Sequence, residues 1–469
     1  MRLFNVIAAA CLAGFAGMCG DASAKVKLPA LFSDGMVMQQ GGKAPIWGES
    51  DKKNGNVTVK TSWNGKEYAA TVDAEGRWKT AVETPAYGGP YYIEVSDGQT
   101  ERISDVMIGE VWLCSGQSNM DMTINGGYND PVIGALDAVV TSADNGLRMF
   151  NVGKKMDSKP LADCTGQWRH ASSETTPHFS AAAYFFARKI RQVLGVPVGI
   201  IHSSYGGSRV EAWMSAEGVA PFKDMEEVQN ECILYNGMMA PVVGYGIRGC
   251  LWYQGEANVD YPKLYTKLLP AMVKDWRDKW GRGDFPFYYA QIAPYKYGRG
   301  EGIGRNSAYL REAQTKCLDL IPNSGMTILT DVGYPNTIHP MKKEQVGDRF
   351  AYLALGLTYG MKGFPVSGPL YKEMAVNGKE VTVTFKNTGR GLTSYRQDIK
   401  GFEVAGDDRV FHPANAKIDR DVKKVVVWSD KVEHPVAVRF AFKDYTDCTL
   451  FSMAGLPASS FRTDDWDDK

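Results

Sequence analysis

The amino-acid sequence predicts an α/β protein in which a central domain is flanked by two β-rich regions. Residues 25–105 carry short β-like runs separated by turns, residues 106–362 alternate between strand and helix patterns, and residues 363–469 return to β-like runs. Strands that alternate with helices are typical of a parallel sheet covered by helices, whereas short strands with frequent turns are typical of β-sandwiches. We therefore expect a helix-covered sheet between two sandwich-like regions.

The first 24 residues have the pattern of a signal peptide. Arg2 supplies a positive charge, residues 6–18 are apolar, and Ala22-Ser23-Ala24 is a small-x-small cleavage site. The sequence thus predicts an exported chain, periplasmic or secreted, whose mature form starts at Lys25. No later segment is long and apolar enough to span a membrane.

The region from 25 to 105 is predicted to form a small β-sandwich. Residues 57–61 and 91–95 have β-like composition, and Asn64-Gly65, Glu75-Gly76 and Asp97-Gly98 supply turns between such runs. The region from 363 to 469 is predicted to be β-rich for the same reason, with clear alternation over residues 381–385 and 436–442.

The central region, 106–362, has strand and helix patterns in turn. Strands are predicted at residues 106–114, 196–204, 249–254, 285–292 and 326–330. Helices are predicted at residues 179–194, 261–280 and 307–320, with a last helix beginning at Pro340.

Charge and motif content exclude several classes of function. Lys plus Arg number 53 and Asp plus Glu number 53, so the chain lacks the basic excess that nucleic acids and anionic membranes favour. The sequence contains no CxxC, no HExxH and no phosphate-binding P-loop. We therefore expect no nucleic-acid partner, no metal and no organic cofactor.

Ser118 is the candidate nucleophile. It lies in Gly116-Gln117-Ser118-Asn119-Met120, directly after the strand predicted at 106–114. The carboxyl end of such a strand is where α/β folds place their chemistry, and a glycine before the serine permits a sharp turn. A serine at neutral pH needs a neighbouring base to take its proton.

His339 is the candidate base among the six histidines. It precedes Pro340 and a helical pattern, so it would lie on the loop that enters a helix. A helix start lowers the pKa of a nearby imidazole and keeps it able to accept a proton.

Two further strand ends carry glycine and amide side chains suited to stabilising an oxyanion. One spans residues 203–213 and the other residues 252–258. Acyl transfer requires hydrogen-bond donors aimed at the developing negative charge, and a glycine N–H and a side-chain amide can supply two of them.

These motifs together resemble the SGNH/GDSL hydrolase superfamily, and more closely its sialate O-acetylesterase branch of carbohydrate esterases. The resemblance extends over nearly all of the mature chain. The segments that carry it are 31–39, 108–112, 116–119, 206–207, 234–238, 254–258, 339–340 and 455–464.

The resemblance implies a flavodoxin-like three-layer α/β/α domain and a serine esterase that removes O-acetyl groups from sugars. It implies Ser118 as nucleophile, His339 as general base and then acid, and an oxyanion hole from the backbone of Ser118 and Gly207 plus one amide. Gln254 at the strand end is preferred for that amide, and Asn258 on the following loop is the alternative.

The third member of the catalytic set departs from the family pattern. Many relatives carry an aspartate three residues before the histidine, where this chain has Asn336. Asp331 is then the candidate acid if it turns back toward His339. The alternatives are Asn336, a backbone carbonyl or a water, any of which would leave a Ser–His dyad; a neutral partner would stabilise the imidazolium less.

The substrate is expected to be an O-acetylated carbohydrate, with a sialate 9-O-acetyl ester as the first candidate and acetylated xylan or mannan as the second. A catalytically weak glycan-binding protein is the alternative from another class. Arg209 and Arg311 are the places to look for a basic group that meets a sialate carboxylate. Candidate substrate contacts are Gln117, Asn119, Glu256 and Arg209, although Glu256 is expected mainly to hold its loop by hydrogen bonds.

Overall fold

A computed structural model describes residues 25–298 and 307–466. The predicted signal peptide, residues 1–24, lies outside the described residues. Within them the chain forms the expected mixed α/β architecture, with a helix-covered parallel sheet between two β-rich regions.

The N-terminal region is built from eight strands, of which the last also enters the central sheet. They are β1 Val26–Lys27, β2 Val37–Gln39, β3 Gly42–Ser50, β4 Asn56–Thr61, β5 Glu67–Thr71, β6 Arg77–Thr84, β7 Gly88–Ser96 and β8 Thr100–Gly116. β1, β3 and β6 form one sheet, while β5, β4 and β7 continue onto the first half of β8. Residue 105, where the sequence places a domain boundary, lies inside β8.

The central region alternates strands and helices as expected. Its elements are α1 Ser118–Asp121, α2 Ala135–Val140, β9 Asp144–Asn151, β10 Trp168–Ala171, α3 Ala181–Leu194, β11 Val198–Ser204, α4 Ala216–Val219, β12 Gly249–Tyr253, α5 Pro262–Trp280, β13 Phe287–Ala290, α6 Ala308–Leu320, β14 Ser324–Thr327 and α7 Lys343–Leu353. Short 3₁₀ turns cover Thr176–His178, Val210–Trp213, Ala220–Phe222 and Glu256–Asn258, and π-helical turns cover Tyr235–Met239 and Ala354–Thr358.

The central sheet has the strand order β10-β9-β11-β8-β12-β13-β14. All neighbouring pairs are parallel except β10 with β9. The chain runs from β8 to one side through β9 and β11, then crosses back to β12 on the other side. The end of β8 is therefore a topological switch point, where open α/β sheets bind their ligands.

Helices cover both faces of this sheet, which confirms the three-layer arrangement. Along β8, Trp112 and Cys114 pack into the layer that contains α3 and α7, while Leu113 packs into the layer that contains α5 and α6. Side chains alternate between the two faces of a strand, so a strand covered on both sides is apolar at every position. This explains the uninterrupted apolar run that predicted the strand.

The helix α3 shows why local signals located this element well. Ser180 Oγ accepts a hydrogen bond from the Ala183 N–H (3.3 Å), and Gly195 ends the helix in the left-handed conformation (φ 68°). A polar N-cap and a glycine at the C-terminus are the usual boundaries of a helix. The predicted start of the last helix is wrong by three residues, because α7 begins at Lys343 and not at Pro340.

The C-terminal region has ten strands. They are β15 Leu370–Asn377, β16 Glu380–Lys386, β17 Leu392–Thr393, β18 Phe402–Ala405, β19 Phe411–Pro413, β20 Asn415–Ile418, β21 Lys424–Trp428, β22 Ala437–Phe440, β23 Phe451–Ser452 and β24 Phe461–Arg462. Two four-stranded sheets, β15-β16-β21-β20 and β19-β18-β22-β24, share one buried apolar core. This is the sandwich-like packing that the sequence predicts.

The tail around residues 458–462 joins this region to the central one. Ser459 Oγ lies 2.9 Å from Gln291 Nε2, which donates to it, and Ser460 Oγ accepts from Arg311 Nε (3.1 Å). Arg462 forms an ion pair with Glu312 on α6 (3.0 Å). Polar side chains of the tail thus satisfy buried polar groups of the central region.

Candidate active site

The candidate active site lies at the carboxyl edge of the central sheet, where β8 ends. In the strand register Gly116 pairs with Ser204 of β11 on one side and with Tyr253 of β12 on the other. The residues that follow these three strands therefore meet at one edge.

A glycine is required two residues before the candidate nucleophile. Gly116 has φ 143°, and a Cβ built on it would lie 2.1 Å from the carbonyl oxygen of Tyr253. No other residue can turn the chain there without displacing β12. The turn places Ser118 as the first residue of α1, with 7% of its surface exposed.

The structure brings His339 and Ser118 together. His339 Nε2 lies 2.9 Å from Ser118 Oγ, although the two residues are 221 positions apart in the chain. His339 lies on the loop before α7, and 13% of its side chain is exposed. Burial, followed by the positive charge of Lys343, lowers the pKa of His339, while Asp130 opposes this. A neutral imidazole beside a serine hydroxyl can accept its proton.

Asp331 does not meet His339, which corrects its candidacy as the orienting acid. Both of its carboxylate oxygens accept from the guanidinium of Arg349 on α7, at 2.7 and 2.6 Å. A bidentate pair of this kind holds the carboxylate firmly in place. Asp331 therefore ties its loop to α7 and is not available to the imidazole.

Asp130, and not Asp331, is the carboxylate that lies near His339 Nδ1. Its Oδ2 lies 3.8 Å from His339 Nδ1 and accepts a hydrogen bond of 2.5 Å from Thr337 Oγ1. Thr337 Oγ1 in turn accepts from the backbone N–H of His339 (3.0 Å). Asp130 comes from the loop between α1 and α2, a segment in which no motif selects it from the sequence.

Tyr128, on the same loop, packs against the imidazole of His339. The two rings are stacked, with centroids 4.3 Å apart and planes 18° from parallel. The Tyr128 hydroxyl donates to Asp121 Oδ2 (3.2 Å), and burial together with that carboxylate raises the pKa of Tyr128 to about 12. The Tyr128 hydroxyl therefore stays protonated near neutral pH, and its ring forms one side of the site.

Two backbone N–H groups are placed to serve as oxyanion donors. Among the described residues, the N–H groups of Ser118 and Gly207 donate to no protein acceptor. Gly207 is in the left-handed conformation (φ 71°), in the loop that follows β11. A Cβ on its neighbour Gly206 would lie 3.8 Å from Ser118 Cβ, so this loop runs alongside the nucleophile.

Gln254 does not fit its preferred role as the oxyanion amide. Its Nε2 donates to the carbonyl oxygen of Ser208 (3.1 Å) and to Asn258 Oδ1 (2.6 Å), which uses both of its protons. Asn258 Oδ1 also accepts from the backbone N–H of Val210 (3.1 Å). Asn258 Nδ2 donates to Glu211 Oε2 (3.1 Å) and keeps a second N–H. Both amides brace the loop that carries Gly207, and only Asn258 retains a donor.

Three candidate substrate contacts lie inside the protein instead. Gln117 Oε1 accepts from the backbone N–H groups of Gly255 and Ala257, both at 3.2 Å. Asn119 and Glu256 are bonded to each other at 2.6 Å and have 0% and 7% of their surfaces exposed. These three residues hold the nucleophile turn against the loop after β12, and the expectation that they touch substrate is corrected.

The two arginines differ in their access to a ligand. Arg311 is fully buried and its guanidinium bonds Ser460, Ser307 and two backbone carbonyls. Arg209 has 24% of its side chain exposed, donates to the carbonyl oxygen of Glu227 (2.9 Å) and lies over the ring of Tyr261. Of the two, only Arg209 lies near the surface beside Gly207.

In the described part of the chain, no three His, Cys, Asp or Glu side chains are grouped so that they could hold a metal ion. The helices of this part include none with the length and apolar character needed to cross a membrane.

Comparison with known proteins identifies the family of the chain. The family model for a carbohydrate esterase, sialic acid-specific acetylesterase, matches residues 108–354. The human sialate O-acetylesterase is 28% identical over 490 residues, covering 92% of this chain and 90% of the human protein, and the mouse enzyme is also 28% identical. A solved carbohydrate acetylesterase from Xanthomonas citri has a TM-score of 0.86 and 36% identity, covering 94% of this chain and all of that one.

The fold and the site define a carboxylic ester hydrolase of the three-layer α/β/α type. The family match spans more than half of the chain and the similar structure spans nearly all of it. The chain therefore belongs to the sialic acid-specific acetylesterase family of carbohydrate esterases.

Proposed function

We propose that the protein is a carbohydrate O-acetylesterase with Ser118 as nucleophile and His339 as general base. The observation that carries the proposal is the 2.9 Å contact between His339 Nε2 and Ser118 Oγ at the switch point of the sheet. The relatives named above are a sialate O-acetylesterase and a carbohydrate acetylesterase, which supports a sugar ester as substrate.

In the first half of the reaction Ser118 Oγ attacks the acetyl carbonyl carbon while His339 takes the hydroxyl proton. Asp130 and Thr337 fix the loop of His339, and the Asp130 carboxylate stabilises the imidazolium that forms. The tetrahedral intermediate then collapses, His339 gives its proton to the sugar oxygen, and the sugar leaves with a free hydroxyl.

The oxyanion of the intermediate is held by the N–H groups of Ser118 and Gly207, with the second N–H of Asn258 as the amide donor. Removing one such donor typically lowers turnover by about 10²–10³-fold. Gln254 bonds the Ser208 carbonyl and Asn258 bonds the Val210 N–H, and these bonds keep Gly207 in place. The loop therefore does not have to rearrange when the oxyanion forms.

In the second half, His339 removes a proton from water, which attacks the acetyl group on Ser118 and releases acetate. An acetyl group as the acyl part is supported by the names of the relatives, a sialate O-acetylesterase and a carbohydrate acetylesterase. The reaction as written requires neither a metal ion nor an organic cofactor.

Two sugar classes are candidates for the natural substrate. An O-acetylated sialic acid agrees with the names of the sialate O-acetylesterase relatives, and the 9-O position is the first candidate for its acetyl group. Acetylated xylan or mannan is favoured by a different observation: Arg311 is buried, and the charge of Arg209 is already paired with the Glu211 carboxylate at 3.8 Å, so neither is an unpaired cation for a sialate carboxylate.

Acetate release by the mature protein tests the proposal. The panel is 4-nitrophenyl acetate, O-acetylated sialic acid and acetylated xylan, each with wild type and Ser118→Ala. Release that disappears in the variant is expected, and preference within the panel assigns the sugar class. Absence of release from every substrate by folded wild-type protein would overturn the esterase assignment and leave the glycan-binding alternative.

Export follows as a separate proposal from Arg2, the apolar residues 6–18 and the Ala22-Ser23-Ala24 site. N-terminal sequencing of protein recovered from the periplasm and the medium is expected to start at Lys25. A chain that keeps Met1 in the cytoplasm would contradict it.

A further inference from the structure

A buried lysine lies directly behind the Ser118–His339 pair. Lys343, the first residue of α7, has no exposed surface. Its Nζ donates to Asn119 Oδ1 at 2.6 Å and lies 5.4 Å from the centre of the Tyr253 ring. Burying an ammonium is costly unless its environment compensates for lost hydration.

Asn119 connects this lysine to both halves of the site. Its Nδ2 donates to Glu256 Oε1 (2.6 Å) and to the carbonyl oxygen of Ile338 (3.0 Å). Asn119 follows the nucleophile Ser118 in the chain, and Ile338 precedes His339. The amide orientation is determined by its partners, because a lysine can only donate and a carboxylate and a carbonyl can accept.

We propose that Lys343 is a positioning residue of the esterase site: held by Asn119, which also bonds Glu256 and the Ile338 carbonyl, its ammonium fixes the segment that carries His339 and places a positive charge beside the imidazole. The inference rests on the proposed function, since it assigns a role within that same site. It explains why the chain keeps a buried ammonium at a position where an apolar side chain of similar volume would be less costly to bury.

The charged and titratable groups that face His339 come from three segments. Lys343 approaches from α7, Asp130 and Tyr128 approach from the loop between α1 and α2, and Ser118 lies on α1. Lys343 itself faces Glu256 from the loop after β12, Asp130 and the ring of Tyr253. Only Lys343 among these groups adds positive charge.

The sign of the effect on catalysis follows from these neighbours. Burial lowers the pKa of Lys343 to about 7, so the ammonium is charged in the acidic range where His339 takes up its proton. Burial is the main cause that lowers the pKa of His339, and the positive charge of Lys343 lowers it further because it disfavours the imidazolium. The lysine therefore extends the active range of the base toward lower pH.

The test compares two neutral variants with a matched control. Lys343→Met removes the charge and the hydrogen bond to Asn119, whereas Lys343→Gln removes the charge but keeps a donor. Lys342→Met makes the same change in composition one residue away, where the side chain is partly exposed. Profiles of kcat/KM against pH for 4-nitrophenyl acetate are measured for all variants, with Ser118→Ala beside them.

In both neutral variants we expect the acidic limb of the profile to move to higher pH, with up to about tenfold greater loss of kcat/KM at acidic pH than in wild type. Lys342→Met is expected to follow the wild type. An acidic limb at the same pH as in wild type would overturn the proposal, because Lys343 would then have only a packing role. The same conclusion would follow if kcat/KM fell by the same factor at every pH.

Two controls, folding of the Lys343 variants and loss of the nucleophile in Ser118→Ala, distinguish the possible failures. Lys343→Gln is expected to fold because its amide N–H can still bond Asn119 Oδ1, whereas Lys343→Met leaves that oxygen without its donor and is expected to be the less stable of the two. Failure of both to give folded protein by circular dichroism would make the lysine a structural residue and overturn the proposal. Hydrolysis that persists in Ser118→Ala would instead overturn the proposed function itself, which separates the two failures.

Discussion

The described residues include two hydrogen-bonded serine–histidine pairs, and only one of them is proposed to carry out chemistry. Ser118 and His339 are 2.9 Å apart at the edge of the sheet. Ser204 Oγ and His202 Nε2 are 2.7 Å apart within β11, and His202 Nδ1 lies 3.0 Å from Asn151 Oδ1. By contact distances alone the second pair with its asparagine looks as complete as the first.

The two pairs differ in what surrounds them. Ser204 is 2% exposed, and its Oγ also lies within hydrogen-bonding distance of Asp121 Oδ1 (3.1 Å). Burial lowers the pKa of His202 to about 4, while Ser118 lies beside two uncommitted backbone N–H groups and a partly exposed imidazole. A serine–histidine bond is therefore insufficient by itself: oxyanion donors and access for a carbonyl distinguish a nucleophile from a structural hydroxyl.

Replacing each serine by alanine is the sharpest test of this comparison. Ser118→Ala is expected to lower kcat/KM for 4-nitrophenyl acetate by at least about 10⁴-fold, because loss of a nucleophile abolishes the covalent route. Ser204→Ala is expected to stay within about fivefold of wild type, since it removes only a buried hydroxyl from a network. Equal losses in the two variants would contradict the distinction drawn between the pairs.

The buried His202 is expected to affect the pH dependence of protein stability and not the rate of catalysis. Its pKa in the folded protein, about 4, lies below the ordinary 6.5, so between these values the unfolded chain binds a proton that the folded protein does not. Stability is therefore lost as pH falls through this window, by up to about 3 kcal/mol from His202 alone.

Urea unfolding between pH 4 and pH 7 measures this loss. His202→Gln is expected to show a shallower acidic decline than wild type, whereas His434→Gln, at an exposed position, should retain the wild-type decline. An unchanged slope in His202→Gln would show that other groups govern acid unfolding.

The two candidate acids provide a third comparison. Asp130→Asn is expected to lower kcat by about 10–10²-fold, less than in a tightly bonded triad because its oxygen lies 3.8 Å from the imidazole. Asp331→Asn should leave kcat within about threefold while lowering the melting temperature, since it weakens a pair with Arg349. The reverse pattern would restore Asp331 as the orienting residue.

The smallest expected effect concerns the stacked tyrosine. Tyr128→Phe keeps the ring on the imidazole and removes only the 3.2 Å bond to Asp121, so kcat is expected to change by less than about threefold. Steady-state kinetics at pH 8 measures it. A loss above about 30-fold would instead give the hydroxyl a direct part in the reaction.

The fold and half of the proposed site could be anticipated because they depend on local signals. The apolar run of β8, the turn at Gly116 and the family motifs indicated the sheet and selected Ser118 and His339. The confirmed fold class follows from the same alternation of strands and helices. Element ends were less predictable, as the start of α7 shows.

The remaining site residues depend on contacts that no local pattern encodes. Asp130 meets Thr337 across 207 positions of chain, and Lys343 meets Asn119 across 224. Asp331 is a candidate acid from the sequence because it follows a predicted strand. In the structure its carboxylate bonds Arg349, 18 residues further along the chain. Gln254 was misjudged because its two protons are used by groups that only the folded loop brings together.

The tail that bonds the central region has a consequence for how the protein is made. Arg311 is fully buried, and part of its compensation is Ser460, 149 residues later in the chain. A guanidinium left in the interior without its partners is strongly destabilising. During synthesis the interior of the central region is therefore complete only after residues 458–462 have been added to the chain. A chain that ended before residue 458 would carry the proposed nucleophile and base but would leave Arg311 without the Ser460 oxygen, so we expect it to be less stable than the full chain.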